Sequence, residues 1–347
     1  MTKLRVAIVG ASGYSGGVAA RLVATHERLL LAFATSDKLA GESVLAHLGL
    51  PGAGHAAAQP QFVPNAAALD CADGCDAVLL ATAADVSMRL VPEFAQRGKQ
   101  VVDLSGAFRL GAGAYPRWYG FEHAAPGWLD RAHYGLPELF GPPPPAAVVA
   151  NPGCYPTAAL LALVPLLRER LIDPKGIIVD GKSGVTGAGR QSGDAYSFAE
   201  VHDDLRAYKV FAHQHTPEIE QGLLRVASGV ELTFTAHLLP INRGLLATCY
   251  ARPLPGASAK RVGECLADAY AKASFVRALA PEQVSLNRVV GTNFAHVGAG
   301  ADAGMVIAIG AIDNLLKGAA GQAIQNLNAM NGWHDATGLE HLQRVSP

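Results

Sequence analysis

Charge is scarce in this chain: 16% of its 347 residues are charged, and 28 basic side chains face 29 acidic ones. So even a balance gives no electrostatic reason to expect nucleic acid or an anionic membrane as partner. Cysteine is sparse as well. The five, at positions 71, 75, 154, 249 and 265, form no CxxC pair and no even disulfide framework. Cys71-x₃-Cys75 lacks a second ligand pair nearby, which argues against zinc. No apolar run is long enough to span a bilayer, and Thr157–Leu167 is broken by Pro165. Lys3-Leu4-Arg5 leads straight into an apolar strand without a secretory core, so a soluble cytoplasmic protein is expected. Internal repeats, heptads and charge blocks are missing too. What remains is half hydrophobic and long enough for two globular domains.

The N-terminal third alternates strand and helix. Leu4–Val9, Leu29–Ala34, Ala77–Ala81 and Gln100–Leu104 read as continuous apolar strands, and Ser15–Thr25 and Val86–Gln96 as helices. Strands apolar on both faces, set between helices, predict a doubly wound parallel sheet. The prolines Pro142–Pro145 make a rigid connector and a plausible domain border. Beyond it, Gly176–Asp180, Val230–Leu239, Leu245–Ala251 and Met305–Ile312 read as strands, the middle pair as a hairpin across Pro240–Gly244. Helices are expected at Thr157–Arg170, Pro217–Val226, Ala259–Ala273 and Ala319–Met330. This half predicts an α+β domain with a mixed, largely antiparallel sheet.

Gly10-Ala11-Ser12-Gly13-Tyr14-Ser15-Gly16 follows the first strand and opens the first helix. Glycines there permit a tight turn and close backbone approach, while the helix N-terminus attracts phosphate, so the loop predicts a dinucleotide site. The second strand ends in Thr35-Ser36, followed by Asp37 and Lys38. Two hydroxyls and an ammonium suit a 2′-phosphate, which favours NADP(H); Asp37 keeps NAD open at this point.

Asn151-Pro152-Gly153-Cys154-Tyr155-Pro156-Thr157 places a thiol between the strand-like run Ala147–Ala150 and a helix whose first turn holds Pro156. Unpaired N–H groups and the positive dipole end favour thiolate there. The alternative is a small buried thiol in a tight turn. A nucleophilic thiol beside a hydride carrier means acyl transfer through a thioester, then reduction to an aldehyde. Such chemistry needs a proton-handling group. His213-Gln214-His215-Thr216-Pro217-Glu218 supplies one, with Thr216 as N-cap, Pro217 as first helical residue and both histidines on an extended approach. Arg109, after the strand Gln100–Leu104, is a candidate anion clamp. Lys182–Arg190 is a second glycine-rich loop, offering Ser183 and Arg190.

Seven motifs in order carry a resemblance that runs nearly end to end. They are Gly10–Gly16, Asp103–Arg109, Tyr134–Glu138, Asn151–Thr157, Lys182–Arg190, His213–Ile219 and Asp313–Ala320. In these the chain resembles the N-acetyl-γ-glutamyl-phosphate reductases of arginine biosynthesis, relatives of aspartate-semialdehyde dehydrogenase. The resemblance implies a Rossmann-type NADP-binding domain at 1–150, completed by a C-terminal helix within 314–347, and a catalytic and oligomerisation domain at 151–313. It implies Cys154 as nucleophile and His213 as general acid/base. Arg109, Ser183, Arg190, His215 and Glu218 become substrate or positioning residues. Gly10, Ser12, Gly13, Tyr14, Ser15, Gly16, Thr35, Ser36, Lys38 and Asn314 become cofactor contacts. NADP(H), a small acyl-phosphate substrate, no metal and a homodimer or homotetramer follow from the same likeness. Two departures stand out: Ser105-Gly106-Ala107-Phe108-Arg109 lacks the acid the family carries beside the arginine, and Asp37 precedes Lys38 where the family often has Arg. A carrier-linked aminoadipyl-phosphate reductase of lysine biosynthesis and a non-catalytic NADP-binding redox sensor are the alternatives.

Overall fold

The computed structural model describes residues 2–50, 59–145, 147–190, 198–340 and 342. The backbone divides into two compact units, and each contains one seven-stranded sheet. Unit 1 is Met1–Tyr115, Phe121–Pro152 and Ala319–His341; unit 2 is Pro116–Gly120, Gly153–Gly318 and Leu342–Pro347. The chain passes from the first to the second between Pro152 and Gly153, one residue before Cys154. Pro142–Pro145 lies inside the first unit, and the expected C-terminal helix is Gly321–Met330. Residues 341 and 343–347 of the expected 314–347 segment lie outside the described residues.

The first sheet consists of β1 (Leu4–Val9), β2 (Leu29–Thr35), β3 (Phe62–Val63), β4 (Ala77–Leu80), β5 (Gln100–Asp103), β6 (Ala132–Tyr134) and β7 (Val148–Ala150). Its order is β3-β2-β1-β4-β5-β7-β6, and every pairing is parallel. Both faces are buried, as the continuous apolar runs predicted. Ala7, Val9, Val78, Leu80 and Val101 pack with Val91 and Phe94 of the helix Ala84–Gln96. The alternate positions Val6, Ile8, Leu79 and Val102 are equally enclosed.

The second sheet holds β8 (Ile177–Gly184), β9 (Arg206–Tyr208), β10 (Leu232–Leu239), β11 (Leu245–Ala251), β12 (Val276–Ala278), β13 (Ala295–Ala301) and β14 (Val306–Ile312). Its order, β12-β13-β14-β11-β8-β10-β9, corrects one expectation. β10 and β11 do not form a hairpin, because β8 lies between them, parallel to β10 and antiparallel to β11. The helix Cys154–Arg168 runs through the core of this unit and is buried from Tyr155 to Leu167. It lies directly on β14, where a Cβ on Gly310 would sit 2.3 Å from the Ala158 carbonyl oxygen. Pro165 leaves the Leu161 carbonyl without its helical donor; the Tyr270 hydroxyl donates to it at 2.7 Å. The helix therefore tolerates its interior proline. Among the described residues no helix is long and apolar enough to cross a membrane.

Within the first unit, His26 fastens the C-terminal segment. Its Nδ1 accepts the Arg28 N–H at 3.0 Å, so Nε2 carries the proton and donates to the Thr337 carbonyl at 2.9 Å. Burial lowers its pKa, and burial does the same to His123, His213 and His296. The unfolded chain thus takes up protons first as pH falls below about 6.5, and stability drops with it. Asp103, whose pKa its own burial raises, works the other way and blunts the fall. The urea midpoint should fall between pH 7 and pH 5.5. A flat or rising midpoint would contradict the neutral, buried state of these rings.

Candidate active site

In the first unit the glycine loop is held by backbone geometry. Gly10 has φ +87°, and a Cβ there would lie 2.6 Å from the Ala81 carbonyl oxygen. A Cβ on Gly16 would lie 2.3 Å from the Gly10 carbonyl oxygen, so helix Tyr14–Thr25 starts hard against the loop. Its N-cap, Gly13, makes no side-chain cap, and no acid sits in the first turn. A helix N-terminus with its positive dipole end and no acid in the first turn suits a dinucleotide phosphate. Ser12, Gly13, Tyr14 and Ser15 are half-buried at this surface.

The end of β2 is arranged differently from a simple phosphate pocket. Thr35 is wholly buried; its hydroxyl accepts the Gly10 N–H at 3.0 Å and donates to Asn65 Oδ1 at 2.7 Å. It braces the loop. Ser36 is also buried and accepts the Leu39 N–H at 3.3 Å. Asp37, the residue that kept NAD open, spends both carboxylate oxygens on Asn65, from the backbone N–H at 2.8 Å and the side-chain amide at 2.7 Å. Lys38 remains exposed beside it.

Arg109 is buried rather than displayed. Its Nε donates to the Asn151 carbonyl at 2.8 Å and its Nη2 to the Leu104 carbonyl at 2.7 Å. Asn151 is fixed in turn: its side chain donates to the Ala319 carbonyl at 3.1 Å and accepts from Asn326 at 3.0 Å. The guanidinium thereby ties the loop after β5 to the segment that leads toward the thiol. Sequence reading missed Asn326, one of several buried polar residues on the helix Gly321–Met330 that no local spacing marks out.

In the second unit Cys154 is the first residue of its helix, with Gly153 as N-cap and no side-chain cap. The helix expected from Thr157 begins three residues earlier, on the cysteine itself. Glu218 is buried, and its Oε1 accepts the Gly153 N–H at 2.8 Å. Gly318 lies beneath, where a Cβ would come within 2.8 Å of Cys154 Cβ. Tyr155, next in sequence, is 2% exposed and turns its ring edge to His213 at 5.6 Å and His215 at 5.9 Å between centroids. Its ring fits because β8 has Gly181 below it, where a Cβ would come within 2.5 Å.

The histidine approach is not extended. Helix His215–Leu224 begins at His215, two residues earlier than expected, with Gln214 as N-cap and Thr216 inside. The reason is a local bond: His213 Nδ1 accepts the His215 N–H at 3.0 Å and so caps the helix with its ring. The proton of neutral His213 therefore sits on Nε2. Burial, helped by Lys209, pushes its pKa down to about 3.

The remaining expected residues lie apart from this cluster in role. Lys182, Ser183 and Gly184 belong to β8 rather than to the expected loop; Ser183 is buried and donates to the Gly184 carbonyl at 3.2 Å, and Arg190 is exposed beyond the strand. Asn314 is buried among unit-2 groups, accepting the Gly244 N–H at 2.8 Å and donating to Thr186 Oγ1 at 3.0 Å. Glu218→Ala should change the rate at which iodoacetamide alkylates Cys154 by roughly 10-fold, because it releases a charge-assisted bond to the residue before the thiol. Glu218→Gln keeps an acceptor and should stay within about threefold; equal damage in both would make charge, not placement, the cause.

A parallel sheet with a glycine loop, joined to a mixed-sheet unit that presents a helix-start cysteine, defines the semialdehyde dehydrogenase class. Residues 5–143 match the family model described as semialdehyde dehydrogenase, NAD binding domain, and residues 154–314 that described as semialdehyde dehydrogenase, dimerisation domain. The fold is that of aspartate semialdehyde dehydrogenase II from Vibrio cholerae, at TM-score 0.71 and 16% identity over 96% of this chain and 99% of that one. Nearer in sequence is the N-acetyl-gamma-glutamyl-phosphate reductase of Magnetococcus marinus, 45% identical over 98% of both chains. That of Geobacillus thermodenitrificans is 42% identical over 97% of this chain and 98% of its own. The chain belongs to the N-acetyl-gamma-glutamyl-phosphate reductase family.

Proposed function

We propose that this protein reduces N-acetyl-γ-glutamyl phosphate to the corresponding semialdehyde and phosphate, with Cys154 as nucleophile and NADPH as reductant. The observation that carries this reading is the start of helix Cys154–Arg168, where a partly exposed cysteine is the first helical residue and Glu218 holds the residue before it. Cys154 Sγ, as thiolate, attacks the acyl carbon; the C–S bond forms, the C–O bond to phosphorus breaks, and phosphate leaves with the electron pair. Gly10, Ser12, Gly13, Tyr14, Ser15 and Gly16 would hold the dinucleotide, with exposed Lys38 toward a 2′-phosphate and Asp37 withdrawn onto Asn65. When bound, the nicotinamide supplies the hydride that reduces the acyl thioester. His213, neutral with its proton on Nε2, donates a hydrogen bond to the acyl oxygen as negative charge develops there. The C–S bond then breaks, and aldehyde and thiolate are released. Arg109 acts through its hold on the Asn151 and Leu104 carbonyls. The dimerisation-domain match over 154–314 supports a homo-oligomer.

The direct test is covalent. Incubation with N-acetyl-γ-glutamyl phosphate, with NADPH omitted, should leave one acyl group per chain on Cys154, read by mass spectrometry. An unmodified chain, or an acyl group on another residue, would sink the mechanism.

A further inference from the structure

His213 is enclosed by rings from four elements of the second unit. Tyr155, on the helix of Cys154, meets the imidazole edge-on, with centroids 5.6 Å apart and planes at 89°. Phe234 on β10 does the same at 5.3 Å and 88°. Tyr208 at the end of β9 closes a third side at 5.5 Å, and His215 lies 4.8 Å away on the helix that His213 caps. Perpendicular contacts set the positive edge of one ring against the negative face of another, so they fix orientation as well as bury area.

Two of these walls are built over one missing side chain. A Cβ on Gly181 of β8 would lie 2.5 Å from the Tyr155 ring and 3.1 Å from that of Phe234, and the two rings meet at 5.1 Å. β10 places Ala236 opposite Gly181, so the floor is small on both strands. Tyr155 is pinned at its far end: its hydroxyl donates to the His237 carbonyl at 3.1 Å and accepts from the Tyr208 hydroxyl at 3.4 Å. Burial raises its pKa, so that hydroxyl stays a neutral donor. The helix capped by His213 is thus tied to the Cys154 helix on both sides of the thiol, at Gly153 through Glu218 and at Tyr155 through the rings.

We propose that Tyr155 and Phe234 are positioning residues for His213: their rings clamp the imidazole edge-on and keep water from it, so that it meets the acyl oxygen in one fixed orientation. The inference rests on the reaction proposed above and assigns the part of the fold that holds its hydrogen-bond donor. The titratable groups facing the imidazole are Tyr155, Tyr208, Lys209 from the turn after β9, and His215 from its own helix; Phe234 on β10 brings none. None carries negative charge near neutrality. Opening a wall therefore admits water without adding a counter-charge, and the pKa of the ring rises toward its ordinary value of about 6.5.

Phe234→Leu and Tyr155→Leu each remove a wall, and Gly181→Ala pushes the Tyr155 ring aside. In each, kcat at pH 7.5 should fall about tenfold, with the KM for N-acetyl-γ-glutamyl phosphate within about threefold, the mark of a misplaced donor. The kcat profile should also gain an acid limb with its midpoint at about pH 5–6, where the wetted imidazole protonates. Adding His213→Gln to Phe234→Leu should abolish that limb. NMR of histidine-labelled protein should show the same midpoint on the one ring signal that His213→Asn removes, while the wild-type signal does not titrate above pH 5. Tyr155→Phe keeps the ring and should restore kcat to within about threefold of wild type, without the limb. Loss of kcat with no acid limb and an untitrated His213 signal would make the rings merely structural and overturn the proposal. Activity within threefold of wild type in both leucine variants would overturn it as well. If one leucine variant fails to fold, the other and Gly181→Ala decide. Absence of Cys154 acylation in the wild-type chain would instead sink the proposed reaction, and the positioning role with it.

Discussion

Cys154→Ser is expected to lower turnover by at least about 10⁴-fold while NADPH binding stays within twofold. Removing a covalent nucleophile elsewhere costs up to about 10⁶ in kcat, with the residue of activity coming from binding and charge stabilisation. A serine hydroxyl at the same helix start remains protonated at neutral pH, so the positive end that favours thiolate gains it little. The glycine loop belongs to the first unit and Cys154 to the second, which is why the two readouts should separate. Three of the other four cysteines, all but the partly exposed Cys71, give an internal control. Burial pushes Cys75 and Cys265 up to about 11 and Cys249 up to about 12, so all three stay protonated near neutrality. Limited iodoacetamide at pH 7.5 should therefore alkylate Cys154 ahead of these three, and prior acylation should block it. Turnover within tenfold of wild type in the serine variant would remove the thioester from the mechanism.

How far the sequence was legible depends on the range of the interactions involved. The parallel sheet could be read because each strand is a local apolar run and each glycine acts on its own turn. The helix after Cys154 was legible from Pro156 and the strand before it, though it starts three residues earlier than the Thr157 expected. β13 was not, because Ala295–Ala301 is rich in glycine and alanine rather than β-branched residues. Its composition answers a distant neighbour: a Cβ on Gly298 would lie 2.8 Å from the Leu279 carbonyl oxygen. The β10–β11 hairpin failed on similar grounds, since insertion of β8 between them is a long-range pairing that turn chemistry cannot report.

The site shows the same division. Cysteine, histidines and glutamate could be picked out as chemistry-bearing residues, but not what each one holds. Glu218 reaches a backbone N–H 65 positions away, and Asn314 reaches Thr186 across 128. Neither partner leaves a trace in local spacing. At His213 local rules gave the wrong helix start, because Thr216-Pro217 is a good entry signal and an imidazole ring nonetheless caps a helix that starts two residues earlier.

That ring also separates two roles for His213. A general acid would have to be an imidazolium, and burial holds the pKa near 3 in the unliganded chain. With Nδ1 committed to the His215 N–H, the neutral ring offers only its Nε2–H, so it acts as a donor to developing charge. His213→Asn, whose amide reaches no farther than the Nδ1 position, should lose about 10²–10³ in kcat, the range for one oxyanion donor. His213→Gln extends an N–H to the Nε2 position and should recover activity to within about tenfold of wild type. The pH profile of kcat should show no loss attributable to this ring between pH 7 and pH 5, because the neutral form persists throughout. If Asn and Gln fail equally and wild-type activity falls on one side of a pKa near 7, His213 exchanges protons with the substrate. The donor role would then give way to general acid–base catalysis.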